Sequence, residues 1–144
     1  MITRTNTEHV KKVPTIDLTG KENGFLIELF KDGDKTVAYL TCAKPGAFKG
    51  YHLHKVRAAR YICIKGKMKI ILYVNKKREE YILSADEPKR LFIPSNIPTG
   101  LENIGSEDAW LINYPDPPYD PNLKGEQVDF TQKELDSGKY LEKI

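Results

Sequence analysis

A procession of short apolar runs, each closed by turn residues, occupies the chain from about residue 24 to 115 and constrains the fold more than any other feature. Phe25-Leu26-Ile27-Glu28-Leu29-Phe30 ends at the turn sequence Lys31-Asp32-Gly33-Asp34, and Thr36-Val37-Ala38-Tyr39-Leu40-Thr41 follows as its hairpin partner. Further runs lie at 51–54, 61–64, 68–74, 80–83, 90–93 and 109–114, and Lys65-Gly66-Lys67 predicts a tight hairpin between the 61–64 and 68–74 runs. Proline and glycine separate the runs and rarely interrupt them, as interior paired strands require. Short strands with regular turn punctuation predict an all-β sandwich or barrel.

The two ends differ from this middle. Residues 1–13 form a polar arm, expected either to be loose or to add a strand to a partner subunit. In the 131–144 tail, Thr131-Gln132-Lys133-Glu134 has the form of a capping box, Thr131 as N-cap and Glu134 reaching back. It predicts a short helix that stops near Ser137-Gly138. At 144 residues the whole chain, 1–144, is expected to be one domain.

Composition narrows the function classes. No run of about 18 apolar residues is present to span a membrane, and Met1 to Asn6 lacks the apolar segment of a signal peptide, so a cytoplasmic protein is expected. The net charge is only +3. The lysine clusters at 65–69 and 75–78 read as solvated strand faces rather than the aromatic-interleaved basic stripe of a nucleic-acid surface. Cys42 and Cys63 sit in apolar surroundings and are expected to be buried free thiols.

His52 and His54 are the candidates for chemistry. They stand two apart on a predicted strand and so share one face, while Tyr51 and Leu53 point the other way. The remaining histidine, His9, lies in the polar arm. Three readings stay open for the pair: a base and substrate-binding couple, a hydrogen-bonded polar pair inside a barrel, or part of a metal site with Glu102 as third ligand.

Gly46, five residues, then His52-Leu53-His54, with Gly66 twelve residues beyond, resembles the first metal motif of a cupin barrel. Ala59 stands where a metal cupin places its glutamate, and Thr99 where the second motif places its histidine. With two of four ligands replaced, the resemblance implies a cupin/jelly-roll β-barrel with a short C-terminal helix that needs neither metal nor cofactor.

A narrower resemblance is to dTDP-4-dehydrorhamnose 3,5-epimerases, in particular to a short, epimerase-like subgroup. Lys49-Gly50-Tyr51-His52 is similar to their Arg-Gly-Leu-His motif. Ile93-Pro94 through Thr99-Gly100 is similar to their Ile-Pro-Pro-Gly-x-x-His-Gly segment, and Pro118-Tyr119-Asp120-Pro121 to their Tyr-x-Pro motif. The matching region runs from about Phe48 to Phe130. This resemblance implies a metal-independent isomerase that inverts C3 and/or C5 of a nucleotide-linked 4-keto-6-deoxyhexose, the nucleotide being dTDP, in deoxysugar and polysaccharide synthesis. It implies His52 as base, Tyr119 as the acid on the opposite sugar face, and Lys49 on the diphosphate. Lysine there keeps the charge of the family's arginine but lacks its bidentate fork. His54 joins the catalytic set, Lys55 or Arg60 is expected to stabilise the enolate, and Thr99 to contact substrate. Tyr39, Tyr61 and Arg57 are candidates for the nucleotide slot. Asp129 is a guess for the carboxylate that orients the base. A homodimer is expected by analogy. His52-Leu53-His54-Lys55 fits 3,4-ketoisomerases of the same barrel equally well, and a non-catalytic sugar- or metal-binding cupin is the third alternative.

Overall fold

A computed structural model describes residues 9, 12–32, 36–117 and 120–144. Their strands are β1 (Lys12–Ile16), β2 (Glu22–Asp32), β3 (Thr36–Ala43), β4 (Phe48–His54), β5 (Ala59–Lys65), β6 (Lys67–Val74), β7 (Lys77–Ser84), β8 (Arg90–Ile93), β9 (Thr99–Asn103), β10 (Ala109–Asn113) and β11 (Gln127–Asp129). A helix α1 (Gln132–Asp136) and a 3-10 turn (Lys139–Lys143) follow. The strands form two antiparallel sheets, ordered β1-β2-β3-β10-β5-β8 and β11-β4-β9-β6-β7.

Alternation along the strands explains two separate cores. On β6, Met68, Ile70 and Leu72 point between the sheets, where they meet Cys63, Leu83, Ile93 and Leu111. The intervening Ile71 and Tyr73 point outward and are also buried, because the C-terminal tail covers that face. Tyr51 and Leu53 of β4 join them beneath Phe130, Leu135 and Tyr140. Edge-to-face rings link this layer, with centroids 5.8 Å apart for Tyr51 and Tyr73 and 6.0 Å for Phe130 and Tyr140. Tyr51 Oη donates to Gln132 Oε1 at 2.6 Å, and Gln132 Nε2 donates to Tyr73 Oη at 2.7 Å. The expected capping box is formed: Thr131 Oγ1 accepts from the Glu134 amide, and Glu134 accepts from the Thr131 amide. Both cysteines are free and buried, as their apolar surroundings predict.

Several expectations change. Lys65-Gly66-Lys67 is not a hairpin: β5 pairs with β8 and β10, β6 with β7 and β9, so the segment carries the chain from one sheet to the other. Gly66 has φ 71° at that corner, and a Cβ there would lie 2.8 Å from the Asp108 carbonyl oxygen. Hairpins and corners demand the same glycine, so the sequence does not separate them. The end of the N-terminal arm is neither loose nor given to a partner, since β1 pairs with β2 of its own chain. Strands β9 and β11, absent from the predicted set, complete the five-stranded sheet.

Candidate active site

The site lies between the sheets, on the inner face of β4. His52 and His54 both line one pocket, and Tyr51 and Leu53 face the opposite way, as period-two alternation requires. Lys49 lines the same pocket although it is three residues from His52, a parity that a regular strand forbids. Pairing between β4 and β9 shifts between Lys49 and His52, and this irregularity turns the lysine inward. Gly50 sits at the shift with φ 122°, and a Cβ on it would come within 2.8 Å of the Thr99 carbonyl oxygen.

Each histidine has its own carboxylate, supplied from the far end of the sequence. Register in the β4–β11 pair sets Asp129 opposite His52, so the two side chains share a face. His52 Nδ1 lies 2.6 Å from Asp129 Oδ1. Burial would raise the Asp129 pKa, but hydrogen bonds from Gln127 and His52 outweigh it and hold the carboxyl below its ordinary value. His54 Nδ1 lies 3.2 Å from Glu126 Oε1 and 2.9 Å from Arg57 Nη2. Glu126, only 7% exposed, accepts from Arg57 Nε at 3.0 Å and from the Val56 and Arg57 amides at 3.1 Å. Burial works against its ionisation; these donors and the guanidinium prevail and bring its pKa down to about 2. Burial, reinforced by Arg57, holds His54 below its ordinary value.

The rest of the pocket is mixed. Thr99 pairs with His52 across β4 and β9, and its hydroxyl donates to the Ile97 carbonyl at 3.1 Å. Lys49 Nζ donates to Thr15 Oγ1 at 2.8 Å, and burial lowers its pKa to about 8. Burial pushes the Tyr61 phenol to about 12, so it is a hydrogen-bond donor and not a base at neutral pH. Ala59, Ile93, Ile97 and Leu101 supply apolar wall. The pocket is small, with a cavity volume of about 60 Å³, and it is partly open to solvent.

The structure brings together His52, His54, Lys49 and Thr99 of the predicted set, with Tyr61 and Arg57 from the nucleotide candidates. It does not bring in Lys55 or Arg60. Lys55 is exposed outside the pocket lining. Arg60 stands over the Tyr114 ring, its Nε donating to the Tyr114 carbonyl at 3.0 Å, because strand alternation turns it away from Ala59 and Tyr61. Neither lines the pocket, and among the described residues Lys49 and Arg57 are the lysine and arginine that do. Tyr39 is not among the lining residues. Glu102 is no third ligand to the histidines: Leu101 takes the inward position, and Glu102 lies 3.6 Å from Lys69 Nζ. Among the described residues no group of three or more His, Cys, Asp or Glu is arranged to hold a metal ion. Tyr119 lies outside the described residues. The positions where a metal cupin carries ligands, 52, 54, 59 and 99, all line this one pocket.

Sequence reasoning missed Glu126 and the part played by Arg57. Glu126 stands just before the short polar strand β11, whose sequence Gln127-Val128-Asp129 carries little strand signal.

Residues 19–126 match the family model described as the polysaccharide biosynthesis C-terminal domain. The "Probable low-salt glycan biosynthesis epimerase Agl13" of Haloferax volcanii is 23% identical over 126 residues, covering 78% of this chain and 81% of that one. Among solved structures, the capsular polysaccharide assembling protein CapF of Staphylococcus aureus superposes with a TM-score of 0.69 at 26% identity, over 82% of this chain. CapF has also been solved with the inhibitor 3-isopropenyl-tropolone. This chain spans only 34% of the CapF chain. The oxalate decarboxylase OxdC of Bacillus subtilis, at 16% identity and a TM-score of 0.61 over 95% of this chain and 38% of that one, shares the fold alone. The all-β barrel with its short C-terminal helix is thus a cupin-type fold.

Proposed function

The chain belongs to the polysaccharide biosynthesis C-terminal domain family, and we propose that it is a sugar epimerase that inverts C3 and/or C5 of a nucleotide-linked 4-keto-6-deoxyhexose. One observation carries this reading: the His52–Asp129 pair. An ionised carboxylate accepts only, so Asp129 fixes the proton on Nδ1 and leaves the Nε2 lone pair of a pocket-lining imidazole as the base. The ketone at C4 acidifies the neighbouring C–H bonds. Nε2 takes the proton, the C–H pair becomes a C=C bond, and charge moves to the C4 oxygen, where a donor or cation must meet it. Lys49 and Arg57 supply positive charge at the pocket. Return of a proton on the opposite face inverts the centre, and Tyr119 is the proposed acid. The epimerase name of the Haloferax relative agrees with this chemistry.

The reading extends to a dTDP-linked substrate, a cytoplasmic site of action, and a homodimer. Exposed Ile64 and Phe92, on the outer side of the six-stranded sheet, favour the last. It also includes metal independence, supported by the Arg57 guanidinium, whose charge beside His54 opposes a second cation there.

Incubation with dTDP-4-keto-6-deoxyglucose in deuterated water, followed by proton NMR, tests the proposal. Deuterium entering C3 or C5 in the wild type, and lost in His52→Ala, is the expected result; loss in Tyr119→Phe checks the acid. Absence of exchange beside an active control epimerase defeats the reading. Appearance of a 3-keto product moves it to 3,4-ketoisomerase, for which the neighbouring His54 is the favouring observation.

A further inference from the structure

His52 and His54 are the same residue type, two apart, lining the same pocket, yet the nearest partners of their Nδ1 atoms are opposite in kind. The Nδ1 atom of His52 faces a carboxylate at 2.6 Å; the Gln127 amide nitrogen is farther off, at 3.3 Å, and donates to that same carboxylate at 3.0 Å. The Nδ1 atom of His54 faces a guanidinium at 2.9 Å. A guanidinium has five donors, no acceptor, and does not lose its proton in a protein. A ring nitrogen at hydrogen-bond distance from it must therefore accept. Glu126 lies farther from Nδ1, at 3.2 Å, and its Oε1 is engaged by Arg57 Nε while Oε2 accepts from two backbone amides, so the guanidinium, as the nearer group, sets the role of Nδ1. Arg57 and Glu126 hold each other rigidly, their side chains 13% and 7% exposed.

We infer that the two histidines carry opposite ring tautomers: His52 presents a bare Nε2 and acts as the base, whereas His54 is a neutral imidazole whose Nε2–H is a hydrogen-bond donor to the oxygen that becomes negative. The inference rests on the epimerase reading for its substrate, but the tautomers follow from the contacts of the two Nδ1 atoms. When His52 Nε2 accepts the carbon-bound proton, the electron pair passes through C=C formation to the C4 oxygen. His54 Nε2–H donates to that oxygen without transferring its proton. On collapse the pair returns to carbon, a proton arrives from the acid on the other face, and His52 later gives its proton to solvent. A neutral donor suits this task, because its proton stays on nitrogen throughout the cycle. The depression of the His54 pKa by burial and Arg57 agrees with a ring that stays neutral. One consequence is that His54 is not the second base a 3,4-ketoisomerase would use.

Imidazole nitrogen–proton correlation NMR on uniformly ¹⁵N-labelled wild-type protein at neutral pH reads the tautomers directly, with His52→Asn and His54→Asn spectra assigning the signals. The expected spectrum shows His54 neutral and protonated at Nε2, and His52, when neutral, protonated at Nδ1. A His54 protonated at Nδ1, or on both nitrogens, overturns the inference. The second arm compares His54→Gln, whose amide nitrogen reaches toward the Nε2 position, with His54→Asn, which reaches only toward Nδ1. Deuterium exchange into the keto-sugar is expected to fall no more than about 10-fold in His54→Gln. In His54→Asn a fall of about 100-fold or more is expected, in kcat rather than KM. Equal, complete loss in both marks a base and overturns the donor role. If wild-type protein exchanges no deuterium, the epimerase reading fails by itself, and the spectrum still decides the tautomers.

Discussion

The two faces of β4 invite comparison. One face holds His52 and His54 in a partly open pocket, each bound to a charged partner. The other holds Tyr51 and Leu53 under the C-terminal tail, with Leu53 fully buried among aromatic rings. From Tyr51 to His54 the strand thus divides its labour by residue parity, polar pocket groups on the even numbers and cohesion on the odd. The lesson is that site and core sit one residue apart and yet should respond separately to mutation.

The largest test of that separation is His52→Ala, expected to lower deuterium exchange by about 10²- to 10⁴-fold. His52 is partly exposed, so urea unfolding should shift by less than about 0.5 kcal/mol. Leu53→Ala should do the reverse. It should cost about 2–5 kcal/mol in urea unfolding while exchange, measured well below the transition, stays within a few-fold of wild type. An activity loss in folded Leu53→Ala that matched His52→Ala would break the comparison.

Glu126 is where the two faces should overlap, because it orients Arg57 at the pocket and ties the start of β11 to the 55–57 loop. Its carboxyl pKa falls from 4.5 to about 2 on folding. The corresponding stability, about 3 kcal/mol, is present above pH 4.5 and lost as pH falls toward 2. His54, whose folded value lies below 6.5, adds a loss in the same direction that begins near pH 6.5. Urea unfolding across pH 2–7 should show this slope, and Glu126→Gln should flatten its acid part. The smallest effect is expected from Tyr51→Phe, which removes the hydrogen bond to Gln132 and should cost about 0.5–1.5 kcal/mol with exchange unchanged.

Much of this division was legible in the sequence. Period-two spacing alone set His52 and His54 on one face and Tyr51 and Leu53 on the other, and the Thr131–Glu134 spacing gave the helix start. The inward turn of Lys49 was not legible, because it depends on the irregular pairing of β4 with β9. Strands β9 and β11 escaped because Thr99-Gly100-Leu101-Glu102-Asn103 and Gln127-Val128-Asp129 are short and polar, with too little β-branched or aromatic content to signal a strand. Of the carboxylate partners, Asp129 was reached only as a guess and Glu126 not at all, because of distance along the chain. Asp129 and Glu126 lie 77 and 72 residues beyond their histidines, and only the β4–β11 register brings them together. Arg57 hid for a different reason, since it sits in the loop just after β4, and its hold on His54 depends on the conformation Glu126 imposes there.

That separation along the chain has a consequence for synthesis. A polypeptide emerges from its N-terminus, so His52 and His54 are made long before Asp129 and Glu126. Strand β11 is in turn fastened from behind, through the Phe130 amide to the Tyr51 carbonyl at 2.9 Å and through Lys143 Nζ to the Asp129 carbonyl at 3.1 Å. A nascent chain that had completed β10 would already own the barrel's main hydrophobic layer and both histidines, but neither ring would have its carboxylate. The pocket therefore acquires its two carboxylates only once residues 126–129 have been made, after the residues of the main hydrophobic layer.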